Sequence, residues 1–240
     1  MPAVRGAVEV YRETRKVPDL PWNLYVARPI AAVLVAGLRA SRVTPNQITL
    51  ASLIVALSSV PMMIWLSGYW GLVAAVLVFE LSYVLDCADG MLARLRSVQS
   101  TEGHLLDFLM DEIKAFAVLA AVALRLHLES GSVTPLILGL VGLVVLAAGI
   151  AMTTFLRRPE IAGPPAPMSA PAATAGLLRR VVGLAEGVAK QLIHYPSYLW
   201  LVALADGLAL FLHVYVAVNA LYALRALFGI MRRFGRSAPG

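Results

Sequence analysis

Long uncharged runs divide the chain, and several are long enough to be membrane-spanning helices. Residues 47–66 carry no charged side chain, residues 70–85 carry only Glu80, and residues 135–156 carry no ionisable side chain. A helix needs about 20 apolar residues to cross the hydrocarbon core of a bilayer. These three runs therefore predict the first, second and fourth of a series of spans.

Two further apolar stretches complete the series. Residues 104–128 are apolar apart from a few ionisable side chains, and they predict the third span. Residues 192–230 are too long for one span and are interrupted at Asp206 and Gly207, so we interpret them as two helices, of which the first is short. The pattern predicts an all-α integral membrane protein with six transmembrane helices.

The segments outside the spans complete the predicted organisation. Residues 1–40 form a cytoplasmic or interfacial arm, and within it residues 17–38 predict an amphipathic helix at the membrane surface, where Trp22 and Tyr25 are favoured. A solvated arm is the alternative. Residues 41–232 form one membrane domain, which contains a Pro- and Ala-rich flexible cytoplasmic linker at 159–176. Residues 233–240 form a cytoplasmic tail.

Composition supports lipid as the solvent of this chain. Hydrophobic residues make up 60% of the 240 positions and charged residues 14%, whereas soluble domains have about 45–50% and about 25%. This excludes a disordered chain, and the lone Cys87 excludes a scaffold of internal disulfides. The net charge is +6, but long uncharged runs separate the basic residues, so we predict no nucleic-acid partner.

The distribution of basic residues predicts the orientation in the membrane. Arg and Lys are frequent in the segment up to Arg42, after the second and fourth predicted spans, and in the tail. The turns at 67–68, 129–132 and 206–207 contain none. Cytoplasmic loops carry the excess of basic residues, so we predict a multi-pass protein of the cell membrane with both termini in the cytoplasm.

Four aspartates lie at the edges of the second and third spans. A carboxylate at the centre of a bilayer costs at least about 2.5–3.5 kcal/mol, so a cluster of them requires compensation. Asp86 and Asp89 share one helical face, and Asp107 and Asp111 share a face of the next helix. The short connection at 94–103 allows these faces to meet at the cytoplasmic end.

The aspartates and their small neighbours indicate a ligand site. Clustered carboxylates repel one another unless a multivalent cation lies between them, and all-oxygen ligation favours Mg²⁺ or Mn²⁺. Small residues on the same faces leave room for a ligand to approach the backbone, and they are Gly90, Ala93 and Gly103. These features indicate a metal-bound phosphate or diphosphate at the cytoplasmic surface of the membrane. A buried charge network without chemistry is the alternative.

The spacing of these residues resembles the signature of the CDP-alcohol phosphotransferases. In this chain it reads Asp86-x2-Asp89-Gly90-x2-Ala93-Arg94-x8-Gly103-x3-Asp107-x3-Asp111, with no departure at any specified position. The upstream segment Thr44-Pro45-Asn46-Gln47-Ile48-Thr49 resembles the one that opens the first span in many members.

The resemblance implies a six-helix membrane enzyme, usually a homodimer, that uses two Mg²⁺ or Mn²⁺ ions and a CDP-linked donor. It implies that the metal ligands are Asp86, Asp89, Asp107 and Asp111, and that Asp111 is also the general base. It further implies that the nucleotide and its diphosphate are bound by Gly90, Ala93, Arg94, Gly103, Thr44, Pro45 and Asn46. For Arg94 a role as a positively charged topology anchor is the alternative.

The acceptor is less well defined by the sequence. Basic residues at the predicted cytoplasmic ends of the fourth and fifth spans are candidates for a pocket that binds a phosphorylated acceptor, and they are Arg157, Arg158, Lys190 and His194. The positive-inside rule places basic residues at the same ends without any acceptor, so both interpretations stay open.

The first functional hypothesis is transfer of a phosphatidyl group from CDP-diacylglycerol to a polar alcohol, with release of CMP. Inositol phosphate and glycerol phosphate are the favoured types of acceptor. The alternative is transfer of a headgroup phosphate from a small CDP-alcohol to diacylglycerol or another alcohol. A divalent-cation transporter is a remote alternative, since transporters also use intramembrane aspartates.

Overall fold

A computed structural model describes residues 2–16, 19–158, 161, 187–188 and 191–234. Helices account for most of the described residues, and none of those residues forms a strand. The α-helices are α1 (Pro2–Thr14), α2 (Arg28–Leu38), α3 (Pro45–Trp65), α4 (Gly68–Leu95), α5 (Thr101–Ser130), α6 (Thr134–Leu156), α7 (Leu199–Leu204) and α8 (Leu208–Phe234). Of these, α7 is the shortest. A π-helical turn at Asn23–Ala27 leads into α2, and a 3₁₀ turn at Tyr195–Ser197 precedes α7.

The predicted all-helical architecture is confirmed for the described residues. By length and composition, α3, α4, α6 and α8 are able to cross a membrane, and they correspond to the predicted first, second, fourth and sixth spans. Helix α5 covers the predicted third span but carries more charge. Helix α7 has six residues and rises about 9 Å, which is shorter than a span requires. The count of six spans therefore stays a prediction.

Several boundaries differ from those predicted. Helix α4 continues ten residues beyond Leu85, and α8 ends at Phe234, inside the predicted tail. The arm forms α1 as well as the helical segment Asn23–Leu38, so helical structure begins earlier than expected. The break between α7 and α8 falls at Asp206 and Gly207 as predicted. Apart from Ile161, the predicted linker at 159–176 lies outside the described residues.

The chain forms two compact units. The first contains the described residues up to Arg125 together with Pro196–Leu208, and the second contains those from Leu126 to Tyr195 and from Ala209 onwards. In the second unit, Gly149 of α6 lies 3.8 Å, measured from an ideal Cβ, from the Ala223 side chain of α8. The rings of Phe155 and Phe234 stack there with centroids 6.1 Å apart.

Helices α3 and α4 form the centre of the first unit. Two residues, Leu66 and Ser67, connect them, so they run antiparallel. Small side chains allow the backbones to approach closely, as in membrane helix pairs, and Ser52 on the buried face of α3 donates to the carbonyl of Ser82 at 2.8 Å. Gly68 opens α4 with a φ of +74°, a left-handed conformation that glycine adopts without strain.

Arg125 of α5 stabilises the turn between α3 and α4. Its side chain is buried, and its Nη1 atom donates to the carbonyls of Met63 and Leu66 at 2.9 and 2.8 Å. Its Nη2 atom donates to the carbonyl of Gly68 at 2.9 Å. The guanidinium thus binds carbonyl groups at the end of α3, which lack helical partners, and one carbonyl at the start of α4.

The N-terminal helices pack beside the last turns of α4. On α1, Ala7, Val10 and Thr14 are buried at spacings of three and four residues, which is the pattern of one helical face. Buried residues of the arm and of α3 and α4 form one core: Val10, Ala31, Ala32, Val35, Ile48, Ala88, Met91 and Leu92. Ala88 and Met91 flank Asp89 and Gly90 in sequence, so this core supports the segment that carries the signature residues.

A polar network holds the segment that precedes α2. Asp19 accepts hydrogen bonds from the backbone of Leu20, from Asn23 and from Arg28. Asn23 in turn accepts from the hydroxyl of Tyr83 on α4 at 2.5 Å. Burial acts to raise the pKa of Asp19, but the three hydrogen bonds and the Arg28 charge hold it below its ordinary value.

Candidate metal and nucleotide site

Three of the four signature aspartates converge at one point. Oxygen atoms of Asp86, Asp89 and Asp107 all lie within 4.8 Å of one another. The first two are three residues apart on α4, which places them on one face, and Asp107 reaches them from α5. Such a group of carboxylates is suited to hold a divalent cation that prefers oxygen ligands.

An unpaired oxygen supports this interpretation of the trio. Oδ1 of Asp107 is buried and has no hydrogen-bond partner among the described residues. A buried carboxylate oxygen without a partner is costly, and a bound cation would satisfy it. The chemistry of the donor set therefore fits a divalent metal ion.

Asp111 lies outside the trio and has a different partner. Its side chain is 54% exposed, and its Oδ1 atom accepts from Nζ of Lys114 at 3.1 Å. The same ammonium group contacts Oδ1 of Asp86 on α4. Lys114 therefore connects the two helices that carry the four aspartates.

Thr49 orients Asp89. The hydroxyl of Thr49, on the buried face of α3, lies 2.5 Å from Oδ2 of Asp89 and 3.2 Å from the carbonyl of Pro45. Both side chains are buried. Because a hydrogen-bonded carboxylate has a restricted orientation, this contact holds Asp89 against the other two members of the trio.

The start of α3 is a complete capping box. Thr44 Oγ1 accepts from the backbone N–H of Gln47, and the Gln47 side chain accepts from the backbone N–H of Thr44. Pro45 occupies the first helical position, where its missing N–H does no harm. In the segment that opens the first span, Thr44, Pro45 and Gln47 therefore stabilise the start of α3, in addition to lying near the site.

A cavity of about 350 Å³ adjoins the carboxylates, a volume in the range of small-molecule sites. Its wall contains Asp89 and Asp107 of the trio. It also contains all of the residues predicted for the nucleotide and diphosphate, namely Thr44, Pro45, Asn46, Gly90, Ala93, Arg94 and Gly103. These residues come from three separate helices, and the fold brings them to one surface.

Two glycines keep this wall open. An ideal Cβ on Gly90 would lie 3.3 Å from Nη1 of Arg94, so the guanidinium lies across the bare surface of Gly90. A Cβ on Gly103 would lie 3.2 Å from Oγ of Ser100 and 3.7 Å from Oδ1 of Asn46. A larger residue at either position would therefore crowd polar atoms of the cavity.

Arg94 is held in place by the N-terminal arm. Its Nε atom donates to the carbonyl of Thr14, the last residue of α1, at 3.0 Å. Its terminal nitrogens lie beside Gly90, where the residue lines the cavity. The arginine is partly buried and hydrogen-bonded, and its role in nucleotide binding stays a prediction.

Arg96 fixes the neighbouring connection. It donates to the carbonyls of Val43, Leu38 and Ser41 at 2.6, 2.7 and 2.9 Å. These contacts join the end of α4 to the connection between α2 and α3. The start of α3 and the end of α4, which both line the cavity, are thereby held together.

Three of the four predicted acceptor residues are described, and they belong to the second unit. Arg157 and Arg158 follow the last residue of α6 and are exposed, and His194 immediately precedes the 3₁₀ turn. Lys190 lies outside the described residues. The aspartates and the cavity belong to the first unit, and the proposed role of these four residues stays a prediction.

Three residues of the site were given no role there from the sequence. Thr49 was named only as part of the segment that opens the first span, Arg96 only as one of the basic residues after the second span, and Lys114 was not included among the site residues. For Lys114 the spacing of three residues from Asp111 is a signal, because it predicts a local charge pair. The contacts of Thr49 and Arg96 join residues at least 40 positions apart, and no spacing rule indicates them.

The fold and the site together define a class of protein. The chain is all-helical in its described part, carries four helices that are able to cross a membrane, and presents three carboxylates beside a ligand-sized cavity. This is a multi-pass membrane protein equipped to bind a metal-associated ligand.

Comparison with known sequences identifies the family. The sequence model of the CDP-alcohol phosphatidyltransferase family matches residues 42–204, more than half of the chain, and the chain belongs to this family. Enzymes of this family transfer phosphate-bearing groups. Divalent metals are used in this family, in agreement with the carboxylate trio.

A curated relative is similar over part of its length. A bifunctional IPC transferase and DIPP synthase of Archaeoglobus fulgidus is 31% identical over 102 residues. That stretch is 42% of the present chain and 19% of the relative. The chain thus spans about a fifth of the length of the curated relative it matches.

Proposed function

We propose that the protein transfers a phosphatidyl group from CDP-diacylglycerol to the hydroxyl of a polar alcohol and releases CMP. The observation that carries the proposal is the carboxylate trio beside a cavity whose wall holds all of the predicted nucleotide-binding residues. The relative from Archaeoglobus fulgidus is named as an IPC transferase, which is consistent with a role in phospholipid synthesis.

The proposed cofactor is a pair of Mg²⁺ or Mn²⁺ ions held by Asp86, Asp89, Asp107 and Asp111. When bound, such ions neutralise a diphosphate and stabilise the charge that develops on the leaving phosphate. Asp89 is oriented for this role by Thr49, and the unpartnered Oδ1 of Asp107 is a free ligand atom.

The other cavity residues are proposed to bind the donor. The guanidinium of Arg94 can donate two parallel hydrogen bonds to phosphate oxygens, a geometry that lysine does not provide. The bare surfaces of Gly90 and Gly103 admit the nucleotide close to the backbone. Arg94 is already held by Thr14, so little side-chain freedom is lost when phosphate binds.

Asp111 is proposed as the general base. Its side chain is the more exposed of the two that share Lys114, so an acceptor hydroxyl can approach it. The hydroxyl oxygen forms a bond to the phosphorus of the phosphatidyl group, and the bond from that phosphorus to the CMP oxygen breaks. The hydroxyl proton passes to the Asp111 carboxylate, and CMP leaves with the electron pair of the broken bond.

The proposed acceptor is a phosphorylated alcohol of the inositol phosphate or glycerol phosphate type. Arg157, Arg158, Lys190 and His194 are proposed to bind its phosphate. The distribution of basic residues supports a protein of the cell membrane with both termini and the active site in the cytoplasm. A homodimer is part of the proposal on the basis of the family resemblance.

Release of CMP tests this proposal. The purified full chain is supplied with Mg²⁺, CDP-diacylglycerol and, in separate reactions, inositol phosphate, glycerol phosphate, serine or inositol. We expect CMP release that depends on one of the phosphorylated acceptors and that is lost in the Asp107→Asn variant. Turnover with CDP-choline and none with the lipid donor would replace the proposal with headgroup transfer. Cation flux without CMP release would indicate a transporter.

A further inference from the structure

A positively charged side chain lies inside the carboxylate site. Nζ of Lys114 contacts Oδ1 of Asp86 and lies 3.1 Å from Oδ1 of Asp111, and the lysine side chain is only 4% exposed. The Asp86 side chain is 14% exposed. Lys114 thus holds its ammonium group between an aspartate of α4 and an aspartate of α5.

Asp86 has two roles in this arrangement. It is a member of the trio that can hold a divalent cation, and one of its oxygens is bound by Lys114. Asp111 is the fourth signature aspartate, and its Oδ1 atom accepts from the same ammonium group. The lysine therefore takes up carboxylate oxygens that metal ions would otherwise use.

We infer that Lys114 is a tethered cation that competes with divalent metal for Asp86 and Asp111. In the metal-free protein the ammonium group offsets the repulsion among the carboxylates. A divalent ion that enters the site meets a positive charge already bound to one of its ligands, so its affinity is lowered. The inference rests on the metal site of the proposed function, but not on the proposed donor or acceptor.

Competition and a purely structural role predict opposite changes in metal affinity when Lys114 is lost. If Lys114 only held α4 and α5 together, its loss would disorder the site and weaken metal binding. If it competes, its loss strengthens metal binding. Because unit charges a few ångströms apart interact strongly even with partial screening, we expect Lys114→Met to bind Mg²⁺ or Mn²⁺ at least about tenfold more tightly than the wild type.

The experiment is calorimetric titration of the purified full chain with Mg²⁺ and with Mn²⁺, with no substrate present. Lys16→Met is the matched control, because Lys16 is exposed and forms no ion pair among the described residues. We expect its metal affinity to stay within about twofold of the wild-type value. Lys114→Arg, which retains the charge, should bind metal no more tightly than the wild type.

Unchanged or weaker metal binding by Lys114→Met overturns the inference, and so does an equal gain in Lys16→Met. If metal-free Lys114→Met does not fold, the variant is purified with Mg²⁺ and titrated with a chelator. The inference then predicts that the chelator concentration that unfolds Lys114→Met is higher than the concentration that removes metal from Lys16→Met and Lys114→Arg. Failure to fold even in Mg²⁺ contradicts it, because the metal should replace the lost charge. Absence of metal binding by the wild type would instead refute the metal site of the proposed function, and the inference with it.

Discussion

Replacement of Thr49 by valine removes one hydroxyl group from the wall of the proposed metal site and nearly preserves the shape of the side chain. The hydroxyl lies 2.5 Å from Oδ2 of Asp89, and both side chains are buried. A hydrogen bond to a charged group contributes roughly 1.5–3 kcal/mol. Since about 1.4 kcal/mol corresponds to a factor of ten, we expect Mg²⁺ binding to weaken by roughly 10- to 150-fold.

A second comparison supports this range for the loss of Mg²⁺ affinity. Loss of a group that orients a metal ligand costs about 10- to 100-fold in metal affinity or activity in other proteins. Asp89 is buried, so water replaces the lost donor less well than it would at the surface. The Mg²⁺ concentration that gives half-maximal CMP release should rise in the same proportion as the dissociation constant.

Calorimetric titration with Mg²⁺ measures the effect directly, and Thr49→Ser should restore most of the affinity because it restores the hydroxyl. Thr153→Val is the matched control, since among the described residues the Thr153 hydroxyl binds only carbonyls of its own helix, those of Gly149 and Ile150. The reasoning is refuted if Thr49→Val binds Mg²⁺ within twofold of the wild type while its thermal stability is unchanged.

Four further variants test other contacts. Asp111→Asn should lower turnover at least about 100-fold while Mg²⁺-dependent binding of CDP-diacylglycerol remains measurable; retained turnover would remove the role of general base. Arg94→Lys keeps the charge but loses the bond to Thr14 and the planar fork, so the KM for the donor should rise about tenfold, and an unchanged KM contradicts a phosphate contact. Arg125→Leu removes three hydrogen bonds worth about 1 kcal/mol each, so the Tm should fall by about 6–12 °C in a thermal scan; a stable variant would show that these bonds contribute nothing net. Changing Arg157 and Arg158 together to Gln should raise the KM for a phosphorylated acceptor far more than that for the donor, and equal effects would return both residues to a topological role.

The membrane helices could be predicted because length and apolar character are properties of one segment. Helices α3 and α6 begin within two residues of the predicted spans, since charges and prolines mark both starts in the sequence. The end of α4 was harder to place. Its last turns carry the signature aspartates and Arg94, and a hydropathy criterion stops at the first carboxylate although the helix continues to Leu95.

Apart from the family resemblance, which indicated the cavity residues, the site could be predicted only where spacing fixes geometry. Asp86 and Asp89 share a face in any helix, so half of the carboxylate group followed from the sequence alone. The contact with Asp107 depends on how α5 is rotated and how far it is shifted along α4, which spacing does not specify. For the same reason, spacing predicts the pairing of Lys114 with Asp111 but not its contact with Asp86, which is 28 residues away.

The N-terminal arm contacts a residue of the site, although the arm precedes the region that matches the family. That match begins at residue 42, yet the carbonyl that holds Nε of Arg94 comes from Thr14. Thr14 is buried and its hydroxyl bonds to the carbonyl of Val10, so the end of α1 is fixed by its own packing. The position of the proposed phosphate-binding guanidinium therefore depends on how α1 packs against α2 and α4. Residues that never contact the donor can tune its binding through this one carbonyl.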